Sequence, residues 1–149
     1  MAIERTFAMF KPGVLQRRVV GEILSRMERK GFNIIALKLM RISKELAQTH
    51  YAEHAQKGFF ASLVEYVTSG PVVAMVLERA DAIRVLRGVV GATNPDAAQP
   101  GTIRGDYGVS TERNLIHASD SPESAAREIG LFFKPEELAP YEDGNAKWF

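Results

Sequence analysis

The alternation of short apolar runs with longer amphipathic segments restricts this chain more than any other feature. Thr6 to Phe10 holds two aromatics and a methionine and is stopped by Lys11-Pro12-Gly13, where proline removes a ladder donor and glycine permits a turn. It reads as a buried strand with Lys11 as a cation at its end. Between Val19 and Lys30, residues Val20, Ile23, Leu24 and Met27 recur at helical spacing, Glu22 lies early, Arg29 and Lys30 lie late, and Gly31 supplies the stop. A second strand is expected from Phe32 to Met40, with Ile35, Leu37 and Leu39 on one face. Ser43 is placed to cap a helical segment running through Leu46 toward His54. Phe59, Phe60, Leu63, Val64 and Val67 mark a further amphipathic helix, ended by Gly70.

Pro71 opens the apolar run Val72 to Leu77, which reads as a central strand, and Asp81 is expected to cap a helix carrying Ile83, Leu86 and Val90. Gly91 to Gly101, with Pro95 and Pro100, is a loop long enough for a functional role. Leu115 and Ile116 read as a last strand. Ser119, Asp120 and Ser121 can each accept a hydrogen bond from the start of the helix Pro122 to Phe132, whose Ala125, Ile129 and Phe132 share a side. The tail from Lys134 to Phe149 runs over the surface. The order is therefore strand, helix, strand, helical pair, strand, helix, strand, helix. It predicts an α+β chain with a ferredoxin-like βαββαβ core, a four-stranded antiparallel sheet covered by helices. In that topology the first and last strands are antiparallel neighbours, which brings Lys11 near Asn114.

At 149 residues and 46% hydrophobic content the chain is read as one domain, residues 1–149. Its 19 Lys and Arg nearly balance its 18 Asp and Glu, so no overall field recruits nucleic acid or anionic membrane, and any anion site must be local. Without cysteine, a leader-like segment or an apolar run near the ~20 residues that span a bilayer, a soluble, cytoplasmic protein is expected.

His117 lies where a strand hands over to a helix, held rigidly yet close to backbone N–H groups that welcome anions. From the local pattern a packed core histidine and a phosphate-handling nucleophile are equally good readings. Glu128, on the following helix, favours the second, because its carboxylate can fold back, fix the imidazole tautomer and leave the other ring nitrogen free to attack. No G-x-x-x-x-G-K-[ST] sequence occurs, so phosphate must be gripped by side chains, the candidates being Lys11, Arg87, Thr93, Arg104 and Asn114. His50-Tyr51-Ala52-Glu53-His54 matches H-x-x-E-H, but with no third ligand downstream a solvated helix face is preferred to zinc. Lys57-Gly58-Phe59-Phe60 begins like an RNA-binding strand and fails at Ala61 and Ser62. Whether both phenylalanines are core, or one faces a pocket and stacks on a base, stays open on sequence.

The segments ERTFAMFKP, SGPVVAMVLE, GATNPDAAQPGTIRGDY, NLIHASDS and FFKPEEL occur in this order, and with them the chain resembles nucleoside diphosphate kinases over essentially its full length. The resemblance implies transfer of the terminal phosphate of a nucleoside triphosphate, commonly ATP, to a nucleoside diphosphate through a covalent phosphohistidine. It implies Mg2+ held mainly by nucleotide phosphates, with no protein residue as its ligand. By position, His117 is then the nucleophile, Glu128 and Ser119 orient it, and Phe59 stacks on the base. Lys11, Tyr51, Arg87, Thr93, Arg104 and Asn114 hold phosphates, ribose or the histidine itself. Gly13 stands where the family usually has an aspartate after Lys-Pro, and Ala118 replaces the commoner glycine. Self-association is implied too, a hexamer over a tetramer, since the long loop and tail look like those of hexameric members. A nucleotide-binding regulatory or nucleic-acid-binding protein is the competing class. The near-neutral charge and the intact set of Lys11, Arg104, His117 and Glu128 argue against it.

Overall fold

The computed structural model describes residues 2–149. Four strands, β1 (Ile3–Phe10), β2 (Asn33–Met40), β3 (Val72–Ala80) and β4 (Ile116–Ala118), form an antiparallel sheet in the order β2-β3-β1-β4. This is the ferredoxin-like arrangement that the element order predicts. The helices are α1 (Val20–Arg29), α2 (Lys44–His50), α3 (Phe60–Thr68), α4 (Ala82–Val90), α5 (Ile103–Tyr107) and α6 (Pro122–Phe132), with a 3-10 turn at Ala52–His54.

Helices cover both faces of the sheet, which explains why β1 is buried continuously from Phe7 to Phe10 instead of at alternate residues. Ala8 and Phe10 join Met75, Leu77 and Ile116 in one core with Ile23 and Met27 of α1 and Leu86 of α4. Phe7 and Met9 join Ala74 and Val76 in a second core with Ala47 of α2, Val64 and Val67 of α3 and Phe132 of α6. Phe7, Ala8 and Met9 are fully enclosed. At ~1.5–3 kcal/mol for each large buried side chain, these two cores hold the central strand from both sides.

Three local expectations are corrected. The β2–β3 register shifts between Ile34 and Ala36, so Ile35 is buried while Leu37 and Leu39 are exposed. A bulge reverses which side chains face the core, and the simple alternation expected for β2 does not survive it. Asp81 stands at the N-cap of α4 with left-handed backbone (φ 54°) and makes no capping bond. Its carboxylate pairs with Arg84, and the Glu4 carboxylate of β1 accepts from the Ile83 N–H at 2.8 Å instead. Leu115 precedes β4 and does not belong to it, with a φ of 76°. Other expected signals hold: Ser43 Oγ accepts from the Leu46 N–H at 3.1 Å and Ser121 Oγ from the Ser124 N–H at 3.1 Å. Of the three candidates before α6, the cap is thus Ser121. The tail is largely exposed and is tied to β2 by Ala139 N–H to Ile35 C=O and by Lys38 to Glu137.

Candidate active site

His117 is the middle residue of β4 and lies opposite Met9 of β1. Paired residues of neighbouring strands point to the same face, so its imidazole enters the α2/α3/α6 side, with its ring centroid 5.9 Å from that of Phe7. Ser119, two residues on, points the same way. Glu128 comes back from the second turn of α6. One of its oxygens, Oε1, accepts from His117 Nε2 at 2.9 Å and from Ser119 Oγ at 2.6 Å. Ser119 Oγ in turn accepts from the Phe7 N–H at 3.3 Å, which ties the carboxylate to the central strand. Ser119 and Glu128 are buried, whereas the His117 side chain keeps 21% of its surface. A carboxylate accepts and does not donate, so Nε2 carries the imidazole proton and Nδ1 carries the free lone pair.

The backbone around His117 is held by arginines. Arg104 of α5 is buried and donates from Nε to Asn114 C=O at 3.3 Å, from Nη2 to Ile116 C=O at 2.5 Å and from Nη1 to Gly91 C=O at 3.2 Å. Leu115, a non-glycine in the left-handed region, sits between two of those carbonyls, and its unfavourable backbone is stabilised by the clamp. Arg87 of α4 donates to Ala118 C=O at 3.1 Å. Carbonyls on both sides of His117 are therefore fixed by cations that retain unused N–H donors. Lys11 Nζ donates to Asn114 Oδ1 at 2.8 Å, and Asn114 Nδ2 donates to Thr93 C=O at 3.0 Å. Gly13 takes a φ of 102°, open to glycine, and Lys11 keeps its place beside Asn114.

Burial, and after it the neighbouring Arg104 guanidinium, lowers the Lys11 ammonium to about 7. Burial, then Arg87, lowers Arg104 to about 10, which leaves it a cation at neutral pH. The Tyr51 hydroxyl is pushed up by burial and by the Glu128 carboxylate, so it stays protonated. These groups open onto a cleft of about 820 Å³. Lys11, Arg87, Arg104, Asn114, His117 and Glu128 line it together with Tyr51, Thr93 and Phe59. Ser119 lies behind it. Two arginine cations and a lysine that an incoming anion would recharge converge where a free imidazole nitrogen emerges, an arrangement suited to nucleophilic attack on a polyanion.

Phe59 is 49% exposed at the mouth, at the exposed start of α3, and Phe60 is partly buried and packs against the core, so the two phenylalanines part company. The H-x-x-E-H reading is corrected. The α-helix ends at His50 and gives way to a 3-10 turn, which leaves Glu53 and His54 on the outside while His50 is buried. A solvated face describes Glu53 and His54 and fails for His50, whose ring centroid lies 4.6 Å from that of His117. Burial above all, then the nearby His117, holds the His50 imidazole far below its ordinary range and therefore neutral. Sequence reasoning also passed over two lining residues. Arg113 lies over the Tyr66 ring at 5.0 Å, and the Asp120 carboxyl is held below the usual range by its hydrogen bond from Ser124 and by Arg87. Asp120 was legible as a charge two residues from the strand end.

A family model described as nucleoside diphosphate kinase matches residues 4–138. The chain is 60% identical over 146 residues to a nucleoside diphosphate kinase of Carboxydothermus hydrogenoformans, covering 98% of each chain. It is 56% identical over 146 residues to that of Archaeoglobus fulgidus, covering 98% of this chain and 97% of the relative. Among solved structures, a halophilic nucleoside diphosphate kinase from Halobacterium salinarum in complex with CDP superposes with a TM-score of 0.96 at 50% identity, covering 99% of this chain and 98% of that one.

Proposed function

Because the chain belongs to the nucleoside diphosphate kinase family of phosphotransferases, we propose that it moves the terminal phosphate of a nucleoside triphosphate, commonly ATP, to a nucleoside or deoxynucleoside diphosphate in two half-reactions through His117. The single observation that carries the mechanism is the His117 Nε2 to Glu128 bond at 2.9 Å, which leaves Nδ1 as the nucleophile. Nδ1 attacks the terminal phosphorus while the bond to the bridging oxygen breaks and the diphosphate leaves. Positive charge builds on the ring as the new N–P bond forms, and Glu128 stabilises it through the Nε2 proton, itself held in place by Ser119. A second diphosphate then takes the phosphoryl group back by the reverse path. No separate base is needed, since an imidazole with its proton on Nε2 already presents a lone pair at Nδ1.

Phosphoryl transfer depends chiefly on alignment and on stabilising charge at the transferring oxygens. Lys11, Arg87 and Arg104 supply the cations, Asn114 and Thr93 border them, and the Tyr51 hydroxyl, buried with no protein partner among the described residues, is a donor kept for substrate. The deep end of the cleft offers Mg2+ no carboxylate cage, because Glu128 is committed to His117 and Ser119. This donor set fits an ion that would arrive on the nucleotide's phosphates, and Asp120, beside Arg87, is one of the lining carboxylates that would face its water shell. Bound there, Mg2+ would neutralise phosphate charge. Phe59 stacks on the base through its π-face, which predicts little selectivity among bases.

Residues 1–149 act as one domain in this reading, and the enzyme assembles as a hexamer and works in the cytoplasm. No helix among the described residues is long and apolar enough to cross a membrane. The exposed Leu37 and Leu39 on the sheet's edge strand support self-association, and a monomer by light scattering at micromolar concentration would contradict it. For the activity itself, conversion of GDP to GTP at the expense of ATP is the direct test. A protein that binds both nucleotides without exchanging phosphate would support the regulatory alternative.

A further inference from the structure

His50 closes α2 inside the protein at 3% exposure, and neither of its ring nitrogens has a hydrogen-bond partner among the described residues. A buried polar group without a partner calls for an occupant. One ring nitrogen of His50, one of His117 and a carboxylate oxygen of Glu128 all lie within 4.8 Å of one another. Two imidazoles and a carboxylate form the donor set of three-ligand zinc sites, with a fourth position open, here toward the cleft. Around a tetrahedral ion with bonds of ~2.0–2.1 Å neighbouring donors stand ~3.3–3.4 Å apart, so closure asks for at most about 1.5 Å of approach, shared among the three side chains.

We propose that the nucleotide-free protein binds a borderline-soft divalent cation, Zn2+ fitting best, on His50, His117 and Glu128, and that the ion arrests His117 in the wrong tautomer. In the free protein Nε2 holds the proton and donates it to Glu128. Coordination takes the Nε2 lone pair, so the ring proton moves through solvent to Nδ1 and no net proton is released. Nδ1 then lacks the lone pair that attacks phosphorus. The cations that face the nucleotide are untouched, so the ion lowers turnover without displacing nucleotide. Mg2+, which takes oxygen ligands and keeps its waters, does not compete for imidazole. The arrest rests on the proposed role of His117, whereas the binding does not.

Calorimetric titration of the full-length, nucleotide-free protein with ZnCl2 tests the binding. The expected result is one ion per chain, at least about tenfold weaker in His50→Phe and in Glu128→Gln, and unchanged in His54→Ala. Histidine 15N NMR of the wild-type protein tests the arrest without any variant, the expected change being from Nε2–H to Nδ1–H at His117 on saturation. Phosphorylation of His117 by MgATP then falls on zinc loading while ADP binding stays. Absence of saturable binding, binding indifferent to His50→Phe, loss of binding in His54→Ala, or retention of the Nε2–H tautomer with zinc bound would each overturn the proposal. A protein that fails to take phosphate even without zinc would contradict the enzymatic reading and leave the calorimetric and NMR results to decide this one.

Discussion

The two ends of the cleft are built on opposite plans. At the deep end Lys11, Arg104, Asn114, Ser119 and Glu128 are all buried, and each is engaged with backbone or with another member of the set. At the mouth Phe59 is 49% exposed, and Thr93 and Glu53 are exposed as well. Buried polar groups with fixed partners give the positional accuracy that phosphoryl transfer needs. An exposed ring on a helix start gives a contact any base can use. On the proposed mechanism, the cleft is rigid where phosphates would react and permissive where bases would differ.

Substitutions at the deep end should therefore remove rate, and those at the mouth should weaken binding evenly. His117→Ala has the largest expected effect, a loss of at least about 10⁴-fold in exchange, read in a coupled ATP–GDP assay, with nucleotide binding retained by calorimetry. Arg104→Ala should cost ~2–4 kcal/mol in kcat/KM, and it should also lower the melting temperature, because three backbone carbonyls lose their donor. A variant that lost activity with an unchanged melting temperature would separate its phosphate role from its hold on β4. Ser119→Ala removes a charge-assisted bond of ~1.5–3 kcal/mol, and the loss should appear in the single-turnover rate of His117 phosphorylation and leave KM unchanged. Phe59→Ala should cost ~1–3 kcal/mol of nucleotide affinity, equally for purines and pyrimidines, with little change in melting temperature. A large difference between bases would break the contrast between the two ends.

The smallest expected effect is a proton balance. Lys11 is depressed to about 7 in the free protein, so between that pH and the ordinary lysine range it is largely neutral when folded and charged when unfolded. The unfolded chain binds the extra proton in this window, so the cost of burying Lys11 opposes folding at lower pH and is relieved as pH rises toward the ordinary lysine range. Nucleotide phosphates raise the ammonium again, so binding at pH 8 should take up a proton, visible as a calorimetric enthalpy that depends on buffer ionisation. Equal enthalpies across buffers would show that Lys11 is already charged.

Much of the fold was legible in the sequence, because element order and helical spacing are local properties and the strand order follows from them. The facing of β2 was not, since the bulge after Ile34 is set by its pairing with β3 and leaves no mark on the alternation of β2 itself. Asp81 misled for a similar reason: its cap position is served by Glu4 from a distant strand. At the site, Glu128 was readable because it follows His117 on the next helix. Arg104 was readable as a cation, although its clamp on Asn114 and Ile116 acts through backbone carbonyls, which no side-chain pattern records. His50 was hidden in a decoy, because its true neighbours lie on β4 and α6, far along the chain.

Intact-mass analysis after incubation with MgATP, with no acceptor present, asks whether His117 itself carries the phosphate. One added phosphate is expected, located on His117, absent from His117→Ala and discharged on addition of GDP with formation of GTP. An unmodified wild-type protein that still converts GDP to GTP would contradict it, because phosphate would then pass between nucleotides without His117 as carrier.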